Sequence, residues 1–257
     1  MLAHVLHLAR LKLYLNFERV LSETELARLR EMVKRRATRE PLQHILGSTS
    51  FCGLEIKCSP AALIPRPETE LLAERAWQFL STLSSQLSTA LDLGTGTGCI
   101  AIALAVKAPN AMVHTVDVSD DALALAKENA VVNQVAERII FHRGDAFAAM
   151  SEALTFHLIV SNPPYVPSAE IHSLQPEVRD FDPRLALDGG VDGLDFYRRI
   201  AKEAPRFLKP RGRLMLEFGD GQAEELKKIF SSEKWIVDEI VADYSARPRI
   251  LIARQGE

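Results

Sequence analysis

Ser161-Asn162-Pro163-Pro164-Tyr165 places an amide side chain, two prolines and an aromatic ring directly after an apolar run, Phe156 to Val160, broken only by His157. Two consecutive prolines exclude a ladder strand and a helix interior, because each lacks the N–H and each fixes φ. The chain must stop there. It presents backbone carbonyls with no N–H on the same residues, a surface suited to holding an NH2 group. Taken alone, the stretch also describes a plain loop after a buried strand, so its chemistry depends on what stands beside it.

Upstream, Asp92-Leu93-Gly94-Thr95-Gly96-Thr97-Gly98 joins a short apolar strand to a helix. Glycines at a βα turn let a ligand approach the backbone closely. The spacing is G-x-G-x-G, one place short of the dinucleotide fingerprint, with Cys99 where the third glycine would fall. Asp117 ends the next strand, where a carboxylate can accept both hydroxyls of a ribose. Gly144-Asp145-Ala146 follows the third strand, and an acid there can face an adenine amino group. The 94–98 turn, Asp117, Asp145 and Asn162 all fall at strand carboxyl ends. Ligands of open α/β sheets bind there, at the switch point, so these residues should converge on one cleft.

The elements that must position them alternate. Ala90–Leu93, Met112–Asp117, Arg138–His142, Phe156–Ser161, Arg213–Phe218, Trp235–Val241 and Ile250–Ala253 read as strands. Ile100–Lys107, Asp120–Val132, Leu194–Leu208 and Gln222–Phe230 read as helices. Alternation of this kind predicts a parallel sheet covered on both faces. The last connection is too short for a crossover, so the final strand should run antiparallel. Before the sheet, Leu2, Val5, Leu6, Ala9 and Leu13 predict one amphipathic helix. Ser22 and Glu25 form a capping box before a second, with Leu26, Leu29, Met32 and Val33 on one face. Thr49–Phe51 and Leu54–Cys58 read as a hairpin or bent ribbon around Cys52-Gly53. Pro65 and Pro67 force an extended entry into a helix reaching about Leu80, and 81–88 reads as a Ser-rich linker.

The 257 residues, 47% hydrophobic and 25% charged, predict a packed globular chain. A net charge of −3 argues against a coat for nucleic acid or an anionic membrane. Three cysteines, Cys52, Cys58 and Cys99, without zinc-knuckle spacing suggest a reducing compartment and no metal. Met1–Phe17 is interrupted by charges and does not read as a signal peptide, and no stretch approaches a membrane span. Met1–Glu40 carries nine Lys/Arg against five Asp/Glu, concentrated in Lys34–Arg39. That run is either a solvated helix end or a contact for an anionic partner. His142 and His157 read as ordinary strand residues, and Glu217 as chiefly structural.

The Asp-x-Gly-x-Gly-x-Gly turn, Asp117 and Asn162–Tyr165 look like a class I S-adenosylmethionine-dependent methyltransferase acting on a planar NH2 group. Pro41–Gly47, Leu63–Glu70, Asp92–Ala105, Ser161–Tyr165, Phe181–Leu194 and Leu216–Gly219 together resemble the PrmC/HemK family, the peptide chain release factor glutamine N5-methyltransferases. The resemblance covers nearly the whole chain. It implies a Rossmann-like, seven-stranded, mostly parallel sheet with an antiparallel last strand. A small helical substrate-recognition domain (1–48) and a β-hairpin connector (49–65) would precede the catalytic domain (66–257).

The resemblance further implies S-adenosylmethionine as cofactor, with S-adenosylhomocysteine as product. Gly94, Thr95, Gly96, Thr97, Gly98, Asp117, Asp145, Ala146 and Asn162 would contact the cofactor. Asn162, Pro163, Pro164, Tyr165, Arg66 and Glu68 would contact the substrate, with the Asn162 side-chain oxygen and the Pro163 carbonyl each accepting an N–H and the Tyr165 ring packing on the flat amide. Class 1 release factors are the implied partner of a cytoplasmic monomer, with no membrane and no stable nucleic-acid complex. Adenine N6 methylation of nucleic acid is the alternative, since such enzymes share Asn-Pro-Pro-Tyr. The chain departs from the family pattern in three places. Ala146 stands where an aromatic is common, with Phe147 a possible substitute, Asp182 replaces Glu, and Ser245–Arg249 is a loosened Gly-rich turn.

Overall fold

The structure, a computed structural model, describes residues 1–83 and 87–256. The N-terminal part holds α1 (Leu2–Val5), α2 (Lys12–Leu15), α3 (Glu23–Ala37) and α4 (Leu42–Leu46). The single first helix expected from the apolar spacing is instead two short pieces, with His7 at positive φ between them. Neither piece is long enough to be stable alone, and only Val5 and Leu6 of this stretch are buried. Leu11, Tyr14, Leu15 and Phe17 stay largely exposed.

The capping box at α3 forms in full: Ser22 Oγ accepts the Glu25 N–H at 3.2 Å, and Glu25 accepts the Ser22 N–H at 2.8 Å. Met32 joins Val5 and Ile45 in a small core, with Leu29 beside it, whereas Val33 points outward.

The hairpin pairs β1 (Ser48–Phe51) with β2 (Leu54–Lys57). Cys52 and Gly53 both take positive φ, as a tight two-residue hairpin turn requires. Phe51 and Ile56 bury into the main core. The hairpin is bolted down further by Asn129, whose amide exchanges hydrogen bonds with the Lys57 N–H (2.7 Å) and carbonyl (3.2 Å).

The remainder runs α5 (Pro67–Thr82), β3 (Ser88–Leu93), α6 (Cys99–Lys107), β4 (Ala111–Asp117), α7 (Asp120–Val132), β5 (Ile139–Arg143), β6 (Phe156–Ser161), α8 (Pro176–Arg179), α9 (Asp195–Glu203), β7 (Leu208–Glu217), α10 (Ala223–Ser232), β8 (Trp235–Ala242) and β9 (Pro248–Gln255). The linker expected over 81–88 is shorter, because α5 continues through Thr82 and β3 begins at Ser88; its residues 84–86 lie outside the described residues. The helix expected to reach Leu208 ends at Glu203, where Pro205 lacks the N–H to continue it.

The sheet order is β5-β4-β3-β6-β7-β9-β8. The first five strands are parallel, and β9 runs antiparallel to both neighbours. Two apolar cores cover its faces, one under α5 and α6, the other under α9 and α10. Strand order reverses at β3 and β6. Ser161 of β6 pairs with Leu93 on one side and Leu216 on the other. Gly94, Asn162 and Glu217 therefore leave the sheet side by side.

Candidate active site

A cleft of about 300 Å³ opens at that point. Its lining includes Gly94, Thr95, Gly96, Thr97, Asp117, Asp145, Ala146, Asn162, Pro164 and Arg66. The convergence expected from strand carboxyl ends is therefore observed. Gly98, Glu68, Pro163 and Tyr165 are not among the lining residues. Gly98 begins α6 at positive φ, and a Cβ there would meet Ala126 at 3.0 Å.

On the cofactor side, Asp117 accepts backbone N–H groups from Gly96 and Ser119, both at 2.9 Å. These bonds aim the carboxylate while leaving lone pairs for hydroxyl donors. At Gly94 (φ +69°) an added Cβ would meet no protein atom within 4 Å, so the backbone there borders open space. Asp92, wholly buried beneath the turn, accepts the Thr95 hydroxyl at 2.7 Å, and its other oxygen has no partner. Burial pushes its carboxyl up to about 7, against the pull of Thr95 and the Ala101 N–H. An aimed carboxylate, an unobstructed glycine backbone and a roomy cleft fit a nucleoside-bearing cofactor.

Asp145 lines the cleft, but Arg199 of α9 holds its Oδ1 at 2.5 Å and its carbonyl at 2.9 Å. Ala146 lines the cleft at positive φ. Phe147 does not substitute for the absent aromatic. It is buried and stacked on Phe207 at 5.1 Å, because the three-residue step of this short turn points it into the core. The aromatic ring that does line the cleft is Phe196, near the start of α9. Nothing in its local spacing signals that placement.

On the other side, Asn162 Nδ2 donates to Thr69 Oγ1 at 3.1 Å, and the Thr69 hydroxyl donates to Glu217 Oε2 at 2.7 Å. Thr69 and Glu217 are 3% and 2% exposed, so water does not compete for these bonds. The Asn162 side chain is held by its nitrogen, from the buried side of the cleft wall. Glu217, expected to be chiefly structural, is thus joined to the Asn-Pro-Pro-Tyr stretch. The Tyr165 hydroxyl is pushed up to about 12 by burial and stays protonated. Its carbonyl accepts from Gln222 Nε2 at 3.0 Å, and Gln222 in turn accepts the Gly219 N–H at 2.9 Å. A Cβ on Gly193 would lie 2.3 Å from that carbonyl, so only glycine lets the returning loop seat against Tyr165.

Arg66 lines the cleft, but its guanidinium binds Asp182, a carboxylate with no exposed side-chain surface, at 2.5 Å. This pair fastens the 183–188 segment, from which Pro183, Leu185, Ala186 and Asp188 complete the wall. The basic run has internal partners as well. Arg36 and Arg39 both bind Glu177 of α8, at 2.7 and 2.6 Å, and hold its carboxyl down at about 2. His157 accepts the Thr89 N–H, and His142 stacks on His114. Among the described residues no three His, Cys, Asp or Glu side chains gather as a metal site, and no helix is long and apolar enough to cross a membrane.

Known proteins give the same picture. Residues 75–175 match the Methyltransferase small domain family, and residues 1–47 match the PrmC N-terminal domain. A release factor glutamine methyltransferase of Geobacter sulfurreducens is 48% identical over 231 residues, which span 90% of this chain and 79% of that protein. One from Thermodesulfovibrio yellowstonii is 37% identical over 256 residues, 100% of this chain and 91% of that protein. The crystal structure of a methyltransferase from Pyrococcus furiosus, 19% identical, superposes with a TM-score of 0.58 over 92% of this chain and all of that one, which shows the shared fold. With this sheet, this cleft and these relatives, the chain belongs to the release factor glutamine methyltransferase family.

Proposed function

We propose that this chain transfers the methyl group of S-adenosylmethionine to the side-chain amide nitrogen of the glutamine in the Gly-Gly-Gln loop of class 1 release factors. The observation that carries the reading is the Asn162 amide, which lines the cleft with its NH2 group tied to Thr69, so that its oxygen is the atom to meet an incoming donor. Gly94–Thr97 and Asp117 would hold the cofactor, with Asp145, Ala146 and Phe196 lining the same cleft and Gly98 setting the turn into α6. Bound S-adenosylmethionine supplies an electrophilic methyl carbon.

An amide nitrogen is a poor nucleophile, because its lone pair is delocalised into the carbonyl. The Asn162 oxygen and the Pro163 carbonyl each accept one N–H of the substrate amide. Together they orient the nitrogen and stabilise positive charge developing on it, as an oxyanion hole does for the opposite charge. The alkylated nitrogen is strongly acidic, so water takes its extra proton and no strong base is required. Tyr165 packs against the core behind the cleft and stays neutral. Arg66 acts on the substrate side from the cleft lining, with Glu68 behind it in the first turn of α5.

Residues 1–48 form the release-factor-gripping part, 49–65 the connector and 66–257 the catalytic part of a cytoplasmic monomer. The exposed apolar side chains Leu11, Tyr14, Leu15 and Phe17 support a protein-facing role for the first of these. The test is a radiolabelled methyl assay offering purified release factor and duplex DNA in parallel. Label in the release factor alone is the expected result, and label in the DNA alone would replace this reading with adenine methylation.

A further inference from the structure

We infer that Thr69 and Glu217 are positioning residues that lock the orientation of the Asn162 amide, so that its oxygen, and not its NH2 group, meets the substrate. The inference rests on the reading of Asn162 as the acceptor for the substrate amide. A side-chain amide is nearly symmetric in shape, and a half-turn exchanges its oxygen for its NH2 group. In the wrong orientation, Asn162 would present two donors to the two donors of a substrate NH2 and bind nothing. A neighbouring group of this chain must select the orientation, and Thr69 lines the cleft beside Asn162.

The proton count along the chain makes the selection. An ionised carboxylate only accepts, and a hydroxyl has one proton to give. Thr69 spends that proton on Glu217 Oε2 at 2.7 Å. Thr69 Oγ1 then only accepts, so the Asn162 atom 3.1 Å away must be the nitrogen. Burial of both partners keeps water from supplying an alternative donor. Sequence distance adds to the case. Thr69 lies in the first turn of α5, 93 residues before Asn162 and 148 before Glu217. Parallel pairing of β6 with β7 sets Glu217 next to Asn162, and the Pro65–Pro67 entry delivers Thr69 between them.

The lock depends on the charge of Glu217. A protonated Glu217 can itself donate to Thr69, which frees the Thr69 proton for Asn162 and allows the amide to turn. Burial raises this carboxyl to about 7, opposed by the Thr69 hydroxyl, by Arg249 of β9 and by the nearby Asn162 amide, and reinforced by Glu68 of α5. The Tyr165 and Tyr197 hydroxyls also face it, both held neutral by burial.

The experiment compares wild type, Thr69→Val, Thr69→Ser and Glu217→Gln. Single-turnover transfer to purified class 1 release factor, S-adenosylmethionine affinity, and the ¹⁵N–¹H signals of the Asn162 side-chain NH2 are read between pH 6 and 8. Wild-type transfer should fall about tenfold from pH 8 to pH 6, following a single ionisation near 7. Thr69→Val should lose about 100-fold at pH 8 with cofactor affinity within about twofold, and Thr69→Ser should return to within about threefold. The acid limb should vanish in Glu217→Gln. The Asn162 NH2 signals should titrate with the limb in wild type and shift in Thr69→Val. Unchanged NH2 signals in Thr69→Val, or equal losses for the Val and Ser variants, would overturn the lock. The NH2 signals need no substrate, so they test the lock even if wild type fails to methylate release factor, an outcome that would overturn the proposed function instead.

Discussion

The two walls of the cleft each contain a buried carboxyl raised to about 7 and each ties it to a threonine hydroxyl at 2.7 Å. On the cofactor wall the partners are Asp92 and Thr95, three residues apart. On the transfer wall they are Glu217 and Thr69, 148 residues apart. The cofactor wall is thus a local device, one turn of backbone that folds with its own strand and helix. The transfer wall is an assembly. It forms only when α5, β6, β7 and the returning 183–194 loop have all docked. Binding a cofactor needs backbone geometry that a short motif can encode. Orienting an amide to within one hydrogen bond needs side chains converging from several directions.

The sharpest way to break this contrast is to damage one wall and read the other. Asn162→Ala should lower single-turnover transfer by about 10²- to 10³-fold, the range for deleting one preorganised charge-stabilising partner. Its S-adenosylmethionine affinity should stay within a few-fold. Asp117→Ala should do the reverse, weakening cofactor binding by roughly 10- to 100-fold, as expected for hydrogen bonds to a charged group. Calorimetry and rapid quench on the same preparations separate the two. Equal losses of affinity and rate in both variants would mean the walls are not distinct.

The pH dependence of stability comes next in size. Asp92 and Glu217 both have folded values raised by burial above their unfolded ones, so the fold binds more protons than the unfolded chain between those values. The stability they contribute is complete below about pH 4 and is lost as pH climbs to about 7, on the order of 3 kcal/mol for each group. Urea midpoints should therefore fall from pH 5 to pH 8. Asp92→Asn and Glu217→Gln should each flatten the slope. A midpoint that rises over that interval would contradict the burial account of both acids.

Arg66→Ala should have the smallest effect of the three and mark the transfer wall alone. It leaves Asp182 buried without its partner, a cost of about 2 to 3 kcal/mol, reduced from the fully buried case because the guanidinium is 32% exposed. The melting temperature should drop by roughly 5 °C. A second change, Asp182→Asn, should recover part of the loss. No recovery would show that Arg66 acts by packing and not by charge.

The same contrast explains what the sequence made legible. Strand alternation, the 94–98 turn and Asp117 depend on short spacings, and the sheet, its antiparallel last strand and the shared cleft followed from them. Asn162 was visible because two prolines beside an amide constrain the backbone by themselves. The contact of Glu217 with Thr69 was not visible, since a carboxylate at a strand end reads as structural until a hydroxyl 148 residues away in sequence is found against it. Phe147 misled for a related reason: adjacency to Ala146 says nothing about direction, and the turn aims it at Phe207. Phe196, which faces the cleft, lies 50 residues from Ala146 in sequence. The first helix failed as an expectation because apolar spacing predicts a face but supplies nothing to cover it. Likewise, the Lys34–Arg39 run read as a solvated or partner-facing charge, while Glu177, which takes up Arg36 and Arg39, sits 138 residues beyond Arg39.

The most direct test of the central claim is the acceptor atom itself. Wild-type enzyme, S-adenosylmethionine and a purified class 1 release factor should yield one added methyl group, located by fragment mass spectrometry on the glutamine of the Gly-Gly-Gln loop. A release factor carrying alanine at that glutamine should acquire none. Methyl incorporation into the alanine-substituted factor, or its appearance on another side chain or on nucleic acid, would contradict the account.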